Sequence, residues 1–387
     1  MGNRHFYMID LRNDLPVVSL LLIILLSFIG GYFSSIYRPV YYTTSIVSLL
    51  LVYLLVAQNS LQRFKVKPWI FYTVYCVASI TIFLIFLQSI INTYHVYLLF
   101  VTGLFILFNQ YHISRKSLLR ITNISFLIYL FFSILLYLGI IKIGRELNIF
   151  DVSYNILGIK TFIGLLGSTA SIDSYATIMI FINLYFNKGK SKWYLIFISI
   201  IAALLTFRTT PFLVFLGPYI IVKFIDLFKK KQVIVFIVIG VIFLGFSLPY
   251  IIYQITGNEH YIIALNLLLT GRATLWNLMI EKYLSYPFPE LLTGFGDTIN
   301  FEVFVWGRFT ANPHNMYLKL LIVYGIILFI GFYILISLKF KKNTSKQLLI
   351  LFAILLAGIG NSNIFSFMNL PMNLWFFTFL TSARRNF

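Results

Sequence analysis

Three side chains of this 387-residue sequence have the chemistry to bind phosphate and move a proton. Arg208 lies in Leu205-Thr206-Phe207-Arg208-Thr209-Thr210-Pro211, Arg272 in Thr270-Gly271-Arg272-Ala273-Thr274-Leu275-Trp276, and His314 in Asn312-Pro313-His314-Asn315-Met316-Tyr317-Leu318. Guanidinium is planar and permanently charged, and it grips phosphate oxygens through paired, charge-assisted hydrogen bonds. Neutral imidazole accepts protons near physiological pH. Asn312 can cap a helix and Pro313 suits the first helical position, which puts His314 in the first turn. Unpaired amides and the positive dipole end there disfavour imidazolium and attract phosphate. Asp173 could pair an arginine, bind substrate hydroxyls or start its helix, and Arg145, with Lys142 and Lys160, could extend an anion-binding surface. Each residue also has a purely structural alternative, above all an arginine that snorkels to anchor its loop.

The scaffold that must position these residues is set by composition. Hydrophobic residues make up 60% of the chain, aromatic residues 19% and charged residues 11%, with a mean hydropathy of +0.91. A soluble domain carries roughly 25% charged residues. Apolar runs long enough as helices to cross a hydrocarbon core of about 30 Å recur almost end to end. They predict an all-α, polytopic integral membrane protein with about twelve spans, a single membrane-embedded domain over residues 1–387. The spans are expected near 16–36, 40–57, 69–91, 94–110, 118–141, 168–186, 192–207, 211–228, 232–252, 314–338, 347–361 and 364–381. The leader contains Asp10 and Asp14 and runs straight into the first span, unlike a cleavable signal. Cys76 is the single cysteine, so no intramolecular disulfide forms.

Charge sorts the connecting segments by side. One set, from Arg4 through Arg115, Lys188, Lys229 and Lys339 to Arg385, holds 21 bases and three acids, a balance of +18. The opposite set, which includes Arg38, Lys142, Arg145, Lys160, Arg208, Arg272, Lys282 and Arg308, balances to zero against eight acids. Basic residues gather on the cytoplasmic side of membrane proteins, so both termini are expected there. The net charge of +19 therefore reflects orientation and gives no reason to invoke nucleic acid. Residues 253–313 form the longest polar segment, a large outer loop between the ninth and tenth spans. Within it, Leu275, Met279 and Tyr283 recur at helical spacing beside Trp276 and Ile280. They predict an interfacial amphipathic helix near 272–286, its aromatic and aliphatic side turned to lipid.

Other machinery is absent from the sequence. There is no phosphate-cradling Gly-x4-Gly-Lys-Ser/Thr loop and no nucleophile elbow. His5, His95, His112 and His260 lie in different loops without a two-histidine helical spacing, so no metal site is expected.

Gly271-Arg272 followed by Leu275-Trp276, then Gly294-x-Gly296, then His314-Asn315-x-Tyr317-Leu318 and Gly325, resembles the C-terminal signature of the bacterial O-antigen ligase and Wzy-type polysaccharide polymerase superfamily. The resemblance implies glycosyl transfer on the outer face of the inner membrane from sugars carried on undecaprenyl diphosphate, with no cofactor and no metal. A histidine matching His314 would accept the proton of an acceptor hydroxyl, and arginines matching Arg272 and Arg208 would hold the diphosphate. Asp173, Arg145, Asn315 and Tyr317 stand as secondary candidates. Phe207 stands before Arg208 where the ligase pattern commonly has serine. The expected function is polymerisation of lipid-linked repeat units into O-antigen or capsular polysaccharide by inverting transfer. A polysaccharide chain-length regulator would be a further partner. A ligase that passes glycan to lipid A core is the nearest alternative, and a flippase for the lipid-linked unit is the alternative of another class. A flippase would show paired halves or midplane charges, whereas the polar residues here gather in one late outer loop.

Overall fold

The structure is a computed structural model that describes residues 19–29, 44, 47–53, 103, 115–140, 169–206, 210–228, 231–255, 263, 265–266, 272–295, 302–305, 308–310, 313–360 and 370–381. Its elements are α1 (Arg115–Tyr137), α2 (Thr169–Phe186), α3 (Lys192–Leu204), α4 (Thr210–Phe228), α5 (Lys231–Ile255), α6 (Arg272–Leu284) and α7 (Phe288–Thr293). A short antiparallel hairpin of β1 (Val303–Val305) and β2 (Arg308–Thr310) follows, then α8 (Met316–Phe340), α9 (Ser345–Gly360) and α10 (Leu370–Thr381). An apolar helix, Ser19–Ile29, lies nearer the N-terminus. Arg115–Tyr137, Thr210–Phe228, Gln232–Ile255 and Met316–Phe340 are long and apolar enough to cross a membrane. The chain is thus a mostly helical membrane protein. The spans expected near 69–91 and 94–110 fall outside the described residues, Gly103 excepted.

Helix α9 is the axis of the bundle: every residue from Gln347 to Gly360 is buried, with α4, α2, α5, α8 and α10 packed around it. The peripheral helices turn large apolar side chains outward, among them Trp193 and Phe197 on α3, Phe212 and Ile220 on α4, and Phe236 and Phe243 on α5. A soluble protein rarely exposes so continuous an apolar surface, whereas hydrocarbon is as apolar as leucine. Polar groups inside the bundle are tied locally. Thr122, Ser125 and Ser133 each return a hydroxyl to the carbonyl four residues back. Asn183 donates to Asn123 at 3.1 Å and accepts from Asn187 at 2.9 Å. Arg115 donates to Phe186 O at 2.8 Å, so the start of α1 satisfies carbonyls at the end of α2.

The tenth expected span is corrected by the structure. Met316–Phe340 reaches its length only by running through Gly325, whose φ of 70° and ψ of 176° are not helical. In a straight helix, residues sixteen apart lie about 24 Å from each other. The rings of Tyr317 and Tyr333 nevertheless meet with centroids 5.6 Å apart. Helix α8 is therefore two arms folded sharply about Gly325, an outer arm from Met316 to Tyr324 and an inner arm from Ile326 to Phe340. The inner arm exposes Ile327, Leu328, Ile330, Ile334 and Leu338. The outer arm is enclosed, with Leu318, Leu321 and Ile322 in a second apolar core beside α6.

Helix α6 forms where the sequence predicts it, but its aromatic and aliphatic side meets protein. Leu275, Trp276, Met279, Ile280 and Tyr283 are at most 5% exposed and pack with Ile252 of α5, Val303 of β1 and the outer arm of α8. The sequence shows an apolar side and is silent on what covers it.

Candidate functional site

The start of α6 is held by Asn266, whose side chain accepts from Thr274 N at 3.0 Å and donates to Thr274 Oγ1 at 2.6 Å. Arg272 is the first residue of that helix and is 9% exposed. Its guanidinium reaches the junction of α4 and α9. A Cβ placed on Gly360 would lie 3.3 Å from Arg272 Nη1 and 3.4 Å from both Oγ1 and Cγ2 of Thr210. Gly360 ends α9, where unpaired carbonyls and the negative dipole end favour a cation. Thr210 opens α4 two residues after Arg208, so the Arg272 guanidinium lies against the outer corner that the sequence singled out. Arg208 itself, like Arg145, Lys142 and Lys160, lies outside the described residues.

One turn along α6, the buried Trp276 Nε1 donates to Pro313 O at 2.6 Å. Pro313 immediately precedes His314, so this bond joins the arginine-bearing helix to the histidine-bearing segment. Removing the donor with Trp276→Phe leaves a buried carbonyl without it, which costs about 1 to 3 kcal/mol. Denaturant unfolding in detergent is expected to register that loss.

The local structure at His314 differs from the sequence expectation. The N-cap of α8 is Asn315 rather than Asn312, so His314 precedes the helix instead of occupying its first turn. Asn315 accepts from Leu318 N at 2.9 Å and donates to Gly245 O at 3.0 Å. His314 is half-buried at φ 50°, a left-handed conformation that non-glycine residues adopt only when surroundings impose it. The Asn315 amide bonds both its own helix and α5, so α8 starts three residues beyond the expected Asn312 cap.

Tyr317 is fully buried. Its hydroxyl donates to Leu355 O at 2.7 Å, and its ring lies where a Cβ on Gly245 would stand. Tyr317 thus ties α8 to α9 and α5. A Tyr317→Phe protein is expected to lose about 1 kcal/mol of stability, measured by denaturant unfolding in detergent.

Position along the neighbouring helices follows from these bonds. At 1.5 Å per residue, Gly245 lies about 21 Å from the Lys231 end of α5 and Leu355 about 15 Å from the Ser345 end of α9. Residues 315–317 are thus tied to the middle of α5 and to the last third of α9.

Asp173, near the start of α2, is fully buried and accepts from the Ser174 hydroxyl at 2.9 Å. Tyr283 stands at the far end of α6. Burial pushes its phenol up to about 12, and its hydroxyl donates to Leu291 O at 3.3 Å, which fastens α7 to α6.

The structure joins the segments of Arg272 and His314, gives Asn315 and Tyr317 architectural bonds and sets Asp173 inside α2. Thr210 and Gly360, which abut the Arg272 guanidinium, were missed. Thr210 stands close to Arg208 in sequence, but nothing local to Gly360 connects it with Arg272.

Residues 194–333 match the family model described as O-Antigen ligase, consistent with the O-antigen ligase and Wzy superfamily. The matched stretch runs from α3 into the inner arm of α8 and contains Arg208, Arg272 and His314. It supports membrane glycosyl transfer of the ligase or polymerase type. No curated protein and no solved structure matches the chain.

Proposed function

We propose that this chain, whose residues 194–333 match the O-antigen ligase family, is a polymerase that extends glycan carried on undecaprenyl diphosphate. The site faces the periplasm from the bacterial inner membrane, with both termini cytoplasmic. The observation that carries the reading is the Trp276–Pro313 bond, which couples the segment of a phosphate-gripping arginine to that of a proton acceptor. His314 takes the proton of an acceptor-sugar hydroxyl as its oxygen attacks the donor's anomeric carbon. The bond from that carbon to the diphosphate oxygen breaks, and the configuration inverts. Undecaprenyl diphosphate leaves with the bonding electron pair, and Arg272 and Arg208 stabilise the charge. General base catalysis contributes about 100-fold to 10,000-fold, and preorganised cations at the leaving group add an electrostatic contribution of comparable size.

Pro313-His314-Asn315-x-Tyr317-Leu318 favours polymerase, as does an outer-loop charge balance of zero, which offers no basic patch for a phosphorylated lipid A core. The description of the matching family favours ligase. Strains lacking the gene separate the two. A single repeat on the core marks loss of a polymerase; bare core with accumulated lipid-linked polymer marks loss of a ligase. Purified protein that elongates lipid-linked repeats in detergent, with no membrane gradient, excludes a pure transporter.

A further inference from the structure

The sharp fold in α8 is built by two glycine backbones in contact. Gly294, just after α7, has φ 79° and ψ 172°, and Gly325 at the vertex has φ 70° and ψ 176°. This region of backbone space is essentially restricted to glycine. A Cβ on Gly294 would collide with the backbone of Gly325, Val323 and Tyr324, and one on Gly325 with the backbone of Leu292 and Gly294. Backbone cannot swing aside as a flexible side chain can. Folding the helix at Gly325 breaks its hydrogen-bond ladder, and Ile322 O is satisfied from outside by Phe295 N at 2.9 Å. Phe295 in turn packs edge-on against Tyr286, with ring centroids 4.5 Å apart.

Helix α6 is consequently tied to the two segments that hold the ends of the outer arm, the Pro313 segment before it and α7 beside the crossing. Trp276 bonds to Pro313 beside His314, and Tyr283 bonds to Leu291 next to the glycine crossing. We propose that the Gly294–Gly325 crossing is a positioning device for the transfer: it sets the angle between the arms of α8 and thereby the placement of His314 relative to Arg272. Its catalytic consequence rests on the glycosyl-transfer reading, while its geometric consequence stands on the fold. Gly294 and Gly325 touch no reacting atom and act through the outer arm.

The test uses the full chain with Cys76→Ser, spin-labelled at cysteines replacing Lys319 on the outer arm and Ile334 on the inner arm. Inter-label distances are compared for this background and for added Gly294→Ala, Gly325→Ala, both together, and Gly331→Ala. Gly331 lies on the inner arm, and a Cβ there meets nothing within 4 Å, so its variant is expected to match the background. Each crossing variant is expected to lengthen or broaden the distance. The double variant is expected to add little, because either methyl disrupts the same contact. Unlabelled crossing variants are expected to lose about 100-fold in turnover on lipid-linked repeats, the scale of an ångström's misplacement, while KM for the donor changes little. Unchanged distances in both single variants overturn the proposal, as do altered distances with full turnover. If Gly325→Ala does not fold, Gly294→Ala, which leaves the sequence of α8 unchanged and meets the same contact from the α7 side, decides. A background protein that elongates nothing sinks the functional reading instead, and the distances still decide the crossing.

Discussion

Replacing His314 with asparagine is expected to lower glycan extension by about 100-fold to 10,000-fold while leaving the protein folded and membrane-inserted. Alanine is the poorer probe because His314 has φ 50°. A left-handed conformation costs most L-residues roughly 1–2 kcal/mol, and asparagine tolerates it through local hydrogen bonding. His314→Asn therefore removes the proton acceptor and spares the backbone, so that a loss of rate reports chemistry. Single-turnover extension of a lipid-linked repeat by purified protein is the measurement. If turnover survives in His314→Asn, the imidazole is not the base, and the half-buried residue has a packing role.

Arg272→Lys is the second large effect, expected at about 100-fold to 1,000-fold in turnover, the cost of removing one preorganised donor from a developing anion. Charge is conserved in this change; shape is not. The Arg272 guanidinium lies against Gly360 and Thr210 at the ends of α9 and α4, and a planar fork can address those groups and a diphosphate together. A lysine ammonium is a point charge on a flexible stem and cannot reproduce that geometry. Donor affinity is expected to fall less than turnover, because the charge on the leaving oxygen is greatest in the transition state. Unaltered turnover in the Arg272→Lys enzyme would show that any cation suffices. Both substitutions are best measured beside Tyr317→Phe, which breaks a buried bond of the same segment without touching the proposed chemistry.

Sequence by itself determined the class of this protein and picked out the neighbourhood of a candidate site. Long uninterrupted apolar runs in this 387-residue chain mark a helical membrane protein, because backbone groups in hydrocarbon must be satisfied within the protein and a helix does so inside one apolar segment. Arg272 and His314 were legible because costly polar side chains concentrate in one late stretch of an apolar chain. The boundaries of α2, α4 and α9 were legible for a related reason: an apolar run ends where charge or a turn residue begins.

Tertiary structure decided what those residues do to each other. The α8 fold depends on Gly294 meeting Gly325 across 31 positions of sequence, and hydropathy sees only an unbroken apolar run there. Asn315 takes the cap from Asn312 because Gly245 of α5 offers its amide a second bond, and a local rule cannot weigh a partner on another helix. The apolar side of α6 packs on protein rather than lipid for the same reason. Periodicity reports that a face is apolar. Only the other chain segments decide what covers it.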